Sequence, residues 1–224
     1  MRGIDIKQIR MRSFLISGLT AKWGIGDSRK PSIWDANLIG RWDARTFPDG
    51  ALATIPNTAT MAGKAPDLTV TGATMADGTL QFNGVSDKAE TAAFMFPERY
   101  TIFWDIDWLD VTGYKAAGVV HPPDLYVHSA AKSGRLDCYI KSSTRGGFIP
   151  NTSVGLSTNG NIYAPDGSLT PFGGTVGTNT SSNPLFIANT GTYFTQMGFR
   201  QLLIFNKELS QAEVNDVLRV MFPA

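Results

Sequence analysis

The chain has 224 residues, a formal net charge of +1 and a hydrophobic fraction of 42%. Its length suits one domain with a core of its own, and 23 glycines with 12 prolines are typical of an all-β protein rich in turns. The near-zero charge argues against nucleic acid as the main partner, the lack of a long apolar run argues against membrane insertion, and a single cysteine, Cys138, excludes an intramolecular disulfide.

The first thirty residues differ from the rest of the chain in charge and pattern. Seven Lys or Arg residues stand against two Asp residues, a net charge of +5, and isoleucines are interleaved with them. Because this composition is costly to leave in solvent, we predict that residues 1–35 form an extended arm that docks on another subunit through apolar burial and charge. The alternative is an extension that lies on its own domain. The residues expected to anchor the arm are Arg2, Lys7, Arg10, Arg12, Ile6, Ile9 and Phe14.

The apolar stretch inside this arm is short. Residues 14–19 provide six positions, fewer than the apolar region of a signal peptide holds. We therefore expect that the chain is not exported by the usual route, and the lone cysteine favours folding in a reducing cytoplasm.

Three segments in the first half predict consecutive strands. Residues 67–73, 77–84 and 100–107 combine β-branched or aromatic residues with turn residues at their borders. In the third segment, period-2 alternation separates an aspartate-bearing face, which also holds Phe103, from an apolar face. The apolar face consists of Ile102, Trp104, Ile106 and Trp108.

The middle of the chain is less regular. The two histidines, His121 and His128, lie seven residues apart in loop-like sequence, and with one cysteine they cannot complete a tetrahedral zinc site. Residues 144–182 are rich in Gly, Asn, Thr and Ser, which predicts long surface loops between a few strands. Such loops often carry binding function on rigid scaffolds.

The last segment predicts a strand, a tight corner and a helix. Residues 202–205 form an apolar run typical of a buried strand. Ser210 and Glu213 match a capping box, in which each residue satisfies a backbone N–H of the other. The helix that follows, residues 211–221, carries one apolar stripe, made of Val214, Val217, Leu218 and Met221.

The order of these motifs resembles the laminin-G-like domains of the concanavalin A-like lectin and glucanase superfamily. The shared features are the hairpin at 77–84, the aromatic strand at 100–107, a strand at 184–189 and the closing corner and helix. The resemblance implies an all-β fold: a two-sheet antiparallel jelly-roll sandwich over residues 36–224, with one short C-terminal helix. The residues expected in its core are Leu80, Phe82, Phe103, Trp104, Ile187, Leu203 and Phe205.

The resemblance also bears on catalysis. Retaining β-glucanases of that superfamily carry carboxylates spaced E-x-D-x-x-E on one strand, where this chain has Asp105, Asp107 and Asp110. Aspartate is one methylene shorter than glutamate, so these carboxyl groups would lie farther from the anomeric carbon of a bound sugar. We therefore predict a solvent-facing polar stripe and no enzymatic activity. A glycoside hydrolase that uses Asp105 and Asp107 is the less favoured alternative.

Calcium is the one cofactor that the resemblance suggests, because laminin-G-like domains often bind it on a rim through an aspartate and backbone carbonyls. Asp87, just after the turn at residues 83–85, is the nearest match. Calcium needs several oxygen ligands, so a turn residue is the favoured interpretation of Asp87.

Glycan binding requires aromatic platforms beside amide or carboxylate groups, which contact sugar C–H groups and hydroxyls respectively. The alternative is that the aromatic residues are core and the Asn/Thr/Gly runs are plain loops. The candidates for glycan binding are Trp108, Tyr114, Tyr126, Asp110, Asp124, Asn151, Asn161 and Tyr163.

Together these features predict a non-enzymatic structural or adhesion protein of a viral particle, specifically of a bacteriophage. The arm would attach it to other virion proteins, or to copies of itself, in a capsid or tail. The lectin-like domain would face outward and bind a cell-surface glycan. The virion is the predicted location, after synthesis in the host cytoplasm. The alternative is a free carbohydrate-binding module in the cytoplasm or on the surface of a bacterium.

Overall fold

The structure is a computed structural model that describes residues 34–109, 118–129, 136–140, 144–148, 154–171, 180–189 and 194–223. Within these ranges the strands form two large antiparallel sheets and one two-stranded ribbon. The predicted anchoring arm lies outside the described residues, apart from its last two positions, so its role stays a prediction.

Sheet A has nine strands. Strand β19 (Gln196–Phe205) lies at its centre, with β9 (Thr101–Trp108) along one side and β6 (Thr79–Asn83) followed by β1 (Leu38–Asp43) along the other. In spatial order the strands are β16 (Leu169–Pro171), β15 (Asn161–Tyr163), β14 (Gly155–Ser157), β9 (Thr101–Trp108), β19 (Gln196–Phe205), β6 (Thr79–Asn83), β5 (Thr74–Ala76) and β2 (Gly50–Ala51), with β1 (Leu38–Asp43) on β19.

Sheet B has eight strands. In spatial order they are β13 (Thr144–Phe148), β12 (Leu136–Ile140), β11 (Leu125–Ser129), β10 (Val119–His121), β18 (Phe186–Ile187), β7 (Lys88–Thr91), β4 (Leu68–Thr71) and β3 (Thr54–Ile55). The ribbon pairs β8 (Phe94–Met95) with β17 (Ser182–Asn183). The helical elements are a single turn, α1 (Trp34–Asn37), a 3-10 turn (Ala44–Thr46) and α2 (Gln211–Met221).

The main core lies between the two sheets, and the apolar face predicted for β9 lines it on the side of sheet A. Ile102, Trp104 and Ile106 are all buried in one apolar cluster with residues of sheet B such as Leu125 and Val127. Side chains of successive strand residues point to opposite faces, so Phe103 belongs to a different apolar cluster on the outer face of sheet A.

Helix α2 covers part of that outer face. It begins at the predicted capping box, in which Ser210 Oγ accepts from Glu213 N–H and the Glu213 carboxylate accepts from Ser210 N–H at 2.8 Å. Its apolar stripe is buried as predicted, in one cluster with Phe103, Leu203 and Phe205. The face that holds Phe103 is therefore not a plain solvent-facing surface, because the sequence pattern of one strand does not reveal the helix packed on it.

A β-bulge in β19 shifts the phase of this strand. Met197 and Phe199 face the main core, but the next core residues are Leu202 and Ile204, because Arg200 is an extra residue between the partners of Ile106 and Asp105. A bulge of this kind re-aims side chains. It places Arg200 beside the aspartates of the neighbouring strand.

The all-β sandwich with a short C-terminal helix is confirmed, and the helix has the predicted bounds. The single-turn helix α1 was not predicted. Among the described residues, neither helix is long and apolar enough to cross a membrane. The predicted core residues are all buried: Leu80, Phe82, Phe103, Trp104, Ile187, Leu203 and Phe205.

Candidate functional site

The aspartates of β9 are held by the bulged arginine. Arg200 Nε donates to Asp105 Oδ1 at 2.8 Å, and Arg200 Nη2 donates to Asp107 Oδ1 at 3.0 Å. Further bonds run from Nη2 to Asp105 Oδ1 at 2.6 Å and from Nη1 to Asp107 Oδ2. The hydrogen bonds from Arg200 hold the pKa of Asp107 below its ordinary value, and the same bonds raise the pKa of Arg200.

This ion pair continues into a larger group of charges. Gln201 Nε2 donates to Asp43 Oδ2 at 3.1 Å, and Asp43 Oδ2 also pairs with Arg45 at 2.8 Å. Arg45 Nη1 in turn donates to the carbonyl of Met221 at 3.4 Å, so the group adjoins helix α2. We call the set of Asp43, Arg45, Asp105, Asp107, Arg200 and Gln201 the carboxylate cluster.

In the carboxylate cluster, the pKa of Asp107 is not shifted in the direction that the proton donor of a glycosidase requires. Such an enzyme needs one carboxyl group whose pKa is raised, so that it can donate a proton to the leaving group. The pKa of Asp107 is lowered instead of raised, and Asp105 accepts hydrogen bonds from the same Arg200 guanidinium. The third position of the motif, Asp110, lies outside the described residues. The predicted solvent-facing stripe is thus a set of ion pairs.

Two of the predicted aromatic platforms lie in the interior. Trp108 is 5% exposed, and Gly118 lies so close to its ring that an added Cβ would come within 1.6 Å of Cη2. Tyr163 is 1% exposed, and its hydroxyl group lies 3.0 Å from Ser157 Oγ. Neither ring can offer a face to a sugar, so the alternative reading of these residues as core is the one that applies.

Asp124 is also buried rather than exposed. Its carboxylate accepts a hydrogen bond from Ser181 Oγ, and Oδ2 lies 3.4 Å from His121 Nδ1. The imidazole is enclosed by Phe94 and Phe96, with ring centroids at 5.0 and 4.5 Å, and burial lowers the pKa of His121. This Ser–Asp–His group does not have the arrangement of a catalytic triad, because the serine hydroxyl donates its hydrogen bond to the aspartate and not to the histidine.

The remaining predicted residues do not gather into one site. Tyr126 is half-buried on β11, where burial and then Asp124 raise its pKa, whereas Asn161 is half-buried on β15 of the other sheet. Tyr114 and Asn151 lie outside the described residues.

Asp87 serves the turn that precedes it. Its Oδ2 accepts from the N–H of Asn83 at 2.9 Å, and the Asn83 side chain accepts from the N–H groups of Val85 and Ser86 at 2.8 and 3.0 Å. Asp87 is 7% exposed. Among the described residues there is no group of three or more His, Cys, Asp or Glu side chains that could hold a metal ion. The geometry of Asp87 is that of a turn residue.

A groove of about 270 Å³ lies between helix α2 and the turn that joins β15 to β16. Phe222, at the C-cap of the helix, and Pro165 of the turn supply apolar surface to it, whereas Leu218 is 3% exposed. Polar groups lie beside that surface. The lining residues are Pro165, Asp166, Gly167, Asn215, Leu218, Arg219 and Phe222.

The turn is fastened to the helix by Gln211. Its Nε2 donates to the carbonyl of Gly167 at 2.7 Å and to Asn215 Oδ1 at 3.0 Å. Gly167 adopts a φ of +84°, and a Cβ there would lie 2.5 Å from Asn215 Oδ1, so only glycine permits this approach. With Oδ1 engaged, the Asn215 amide has a fixed orientation, and its NH₂ group has no partner among the described residues.

The two charged groups of the groove are also oriented. The Asp166 carboxylate accepts from the N–H of Ser168 at 2.9 Å, and bonds from the side chain and backbone of Ser168 lower the pKa of Asp166. Arg219 pairs with Asp216 one turn away on α2, and its Nε donates to the carbonyl of Asn215 at 3.3 Å. The groove therefore presents an acceptor, a free amide donor and a guanidinium around an apolar floor.

The sequence contained only part of the signal for this groove. Pro165-Asp166-Gly167 is a typical turn sequence, and the positions of Asn215, Leu218, Arg219 and Phe222 repeat every three or four residues along the helix. Nothing in the sequence brings these two segments together. None of the predicted glycan-binding residues lines the groove.

No family model matches the sequence, and no curated protein matches it. Solved structures share its fold. A structure of Trypanosoma rangeli sialidase in complex with sialic acid has a TM-score of 0.61 at 13% identity, over 93% of this chain and 39% of that chain. A mutant of that sialidase displaying trans-sialidase activity has a TM-score of 0.59 at 13% identity, over 91% of this chain and 38% of that chain.

The binding domain of botulinum neurotoxin DC in complex with SialylT has a TM-score of 0.60 at 17% identity, over 86% of this chain and 53% of that chain. The chain thus spans between 38% and 53% of the length of these proteins. At such low identity the likeness establishes a shared fold and nothing finer.

Proposed function

We propose that this protein is a non-enzymatic glycan-binding sandwich domain of a viral particle, and that the groove beside helix α2 is its binding site. The observation that carries this proposal is the groove itself. It combines an oriented donor, an oriented acceptor and an apolar floor, which is the combination that small-ligand sites need. Sugars present the matching surface, with hydroxyl groups around C–H faces.

The comparisons support glycan as the ligand class. Two of the solved structures with this fold are complexes with sialic acid and with SialylT, and this chain matches 39% and 53% of those proteins. The laminin-G-like motif order favours the same class of protein. These likenesses concern the scaffold, whereas the residues proposed for binding come from this chain alone.

The absence of enzymatic activity is proposed because both carboxylates of the pair are bonded to Arg200. If the protein were a glycosidase after all, glycosides incubated with the full chain would release reducing ends, and Asp107→Asn would abolish the release. We expect no release by the wild-type protein beyond a heat-treated sample. Activity that depends on Asp107 would overturn this part of the proposal.

The place on a viral particle is proposed from the composition of residues 1–35. Deletion of residues 1–30 should leave a cooperative thermal transition, because the described sandwich begins after them, and should abolish co-assembly with the particle or self-association. Salt should weaken attachment only in part, since apolar burial is insensitive to screening. Normal assembly of the truncated protein, or loss of its fold, would contradict the arm as an anchor. A free bacterial binding module remains the second candidate, favoured if the full chain never co-purifies with particles.

Glycan binding by the groove can be tested with one helix variant. The full chain is applied to a glycan array, and the best glycan is titrated against wild type, Asn215→Ala and Thr74→Ala. Asn215→Ala removes the free amide at an exposed helix position where alanine is favourable, and should weaken binding by about five- to tenfold, as expected for a lost hydrogen bond. Thr74 is exposed on β5, across sheet A from the groove, and serves as control. Equal binding by all three proteins would place the site elsewhere.

A further inference from the structure

We propose that the groove selects an uncharged sugar unit and discriminates against sugars that carry a carboxylate, such as sialic acid. This inference rests on the proposed glycan binding and names the ligand class of the same site. It departs from the sialic acid that is bound in one of the structures with this fold.

The first argument is charge. Asp166 lines the groove, and its carboxylate is ionised at neutral pH, because its ordinary pKa of 3.8 is lowered further by hydrogen bonds from Ser168. Asp216 lies next to the groove, paired with Arg219. These three groups sum to one negative charge. A ligand carboxylate placed among them would meet an uncompensated like charge, which disfavours its binding.

The second argument concerns Arg219, the one cation that could attract an acidic sugar among the described residues of the groove. Its guanidinium is already paired with Asp216 and bonded to the carbonyl of Asn215 at 3.3 Å. Its remaining N–H groups could still reach a ligand carboxylate, but its positive charge is already balanced by Asp216, so little net attraction is left for an acidic sugar.

The third argument is hydrogen-bond complementarity. A hydroxyl group both donates and accepts, so adjacent sugar hydroxyls can donate to the Asp166 carboxylate and accept from the Asn215 NH₂ group. A ligand carboxylate can only accept hydrogen bonds. It could accept one from the Asn215 NH₂ group, but it would have no donor for the Asp166 carboxylate. The apolar surface of Phe222 and Pro165 suits the C–H face of an uncharged ring.

The fourth argument is size. The groove measures about 270 Å³, just below the roughly 300–1,000 Å³ of sites for drug-sized ligands. It therefore suits a single sugar unit, such as the terminal unit of a glycan chain, rather than several consecutive units.

The test compares matched glycans that differ only in a terminal sialic acid. Wild-type full chain should bind the best neutral glycan at least about tenfold more tightly than its sialylated counterpart, a difference of about 1.4 kcal/mol. Asp166→Asn keeps an acceptor for Ser168 N–H but removes the charge, and should reduce that ratio to below about threefold by strengthening the acidic glycan. Asp77→Asn is the matched control, because Asp77 lies in the exposed turn between β5 and β6 at a φ of 50°, which asparagine tolerates.

A salt titration of the wild-type protein covers the case in which Asp166→Asn fails to fold. Discrimination by charge should shrink when NaCl rises from about 0.05 to 0.5 M, since screening shortens the range of the repulsion. Tighter binding of the sialylated glycan, or a ratio that neither Asp166→Asn nor salt changes, would overturn the inference and leave glycan binding standing. Failure of the wild-type protein to bind any glycan would overturn both.

Discussion

The carboxylate cluster and the groove both adjoin helix α2, but they use their polar groups in opposite ways. In the cluster, both aspartates of β9 are bonded to Arg200, and Asp43 is bonded to Arg45 and Gln201. In the groove, hydrogen bonds to Ser168 and Gln211 orient Asp166 and Asn215 but leave the amide NH₂ of Asn215 without a partner among the described residues.

This difference separates a structural use of charge from a binding use. A group whose hydrogen bonds are all satisfied inside the protein stabilises the fold and has little left for a ligand. A group that is oriented but retains a donor or acceptor is preorganised for binding. The aspartates that stand out most in the sequence belong to the first kind, whereas the inconspicuous Asn215 belongs to the second.

The largest expected effect tests the structural role of the cluster. Arg200→Gln removes the cation that pairs with two aspartates, of which the Asp105 side chain is only 11% exposed. We expect the free energy of unfolding in urea at pH 7 to fall by about 2–3 kcal/mol, less than the roughly 3–5 kcal/mol of a fully buried pair because the Asp107 side chain is 49% exposed.

Arg219→Gln is the matched control at the groove. Its side chain is 75% exposed, so loss of the pair with Asp216 should cost less than about 0.5 kcal/mol. Glycan binding should show the reverse order of sensitivity, with Arg200→Gln neutral. Similar stability losses in the two variants would remove the distinction between the regions.

Low pH should remove the stabilisation that the Asp107–Arg200 pair contributes to the folded state. The folded pKa of Asp107 lies below its ordinary value of 3.8, so the stability from its pair with Arg200 is complete above that value and is lost as the pH falls through the folded pKa. The difference in unfolding free energy between wild type and Arg200→Gln should stay constant from pH 7 to about pH 5 and shrink below about pH 4. A difference that declines already between pH 7 and 5 would point to another titrating group.

A smaller effect should reach both regions through the helix. Ser210→Ala removes the capping box of α2, which should lower the unfolding free energy by about 1 kcal/mol. Because α2 supplies Asn215 to the groove and its Met221 carbonyl to Arg45, uncapping should also weaken glycan binding slightly. Ser182→Ala, at an exposed position in the ribbon, is the control and should change neither quantity. Weaker binding without a change in stability would show that Ser210 acts on the groove by another route.

Several elements followed from local sequence alone. The capping box and apolar stripe predicted the bounds of α2, because both depend on residues three or four positions apart. The alternation in β9 assigned Trp104 and Phe103 to opposite faces, because the side-chain period of a strand is two. Turn chemistry predicted the behaviour of Asp87.

The tertiary structure decided which side chains from distant segments come into contact. The core-facing residues of β19 are Met197, Phe199, Leu202 and Ile204, and the break in their alternation can be recognised as a bulge only when the strand is known to pair with β9. The same pairing brings Arg200 to Asp105 and Asp107. The groove joins residues 165–167 to 215–222. Local periodicity states which face a side chain occupies, but contacts between distant segments depend on how sheets and helix pack, and so the functional surface of this protein emerges only in the folded chain.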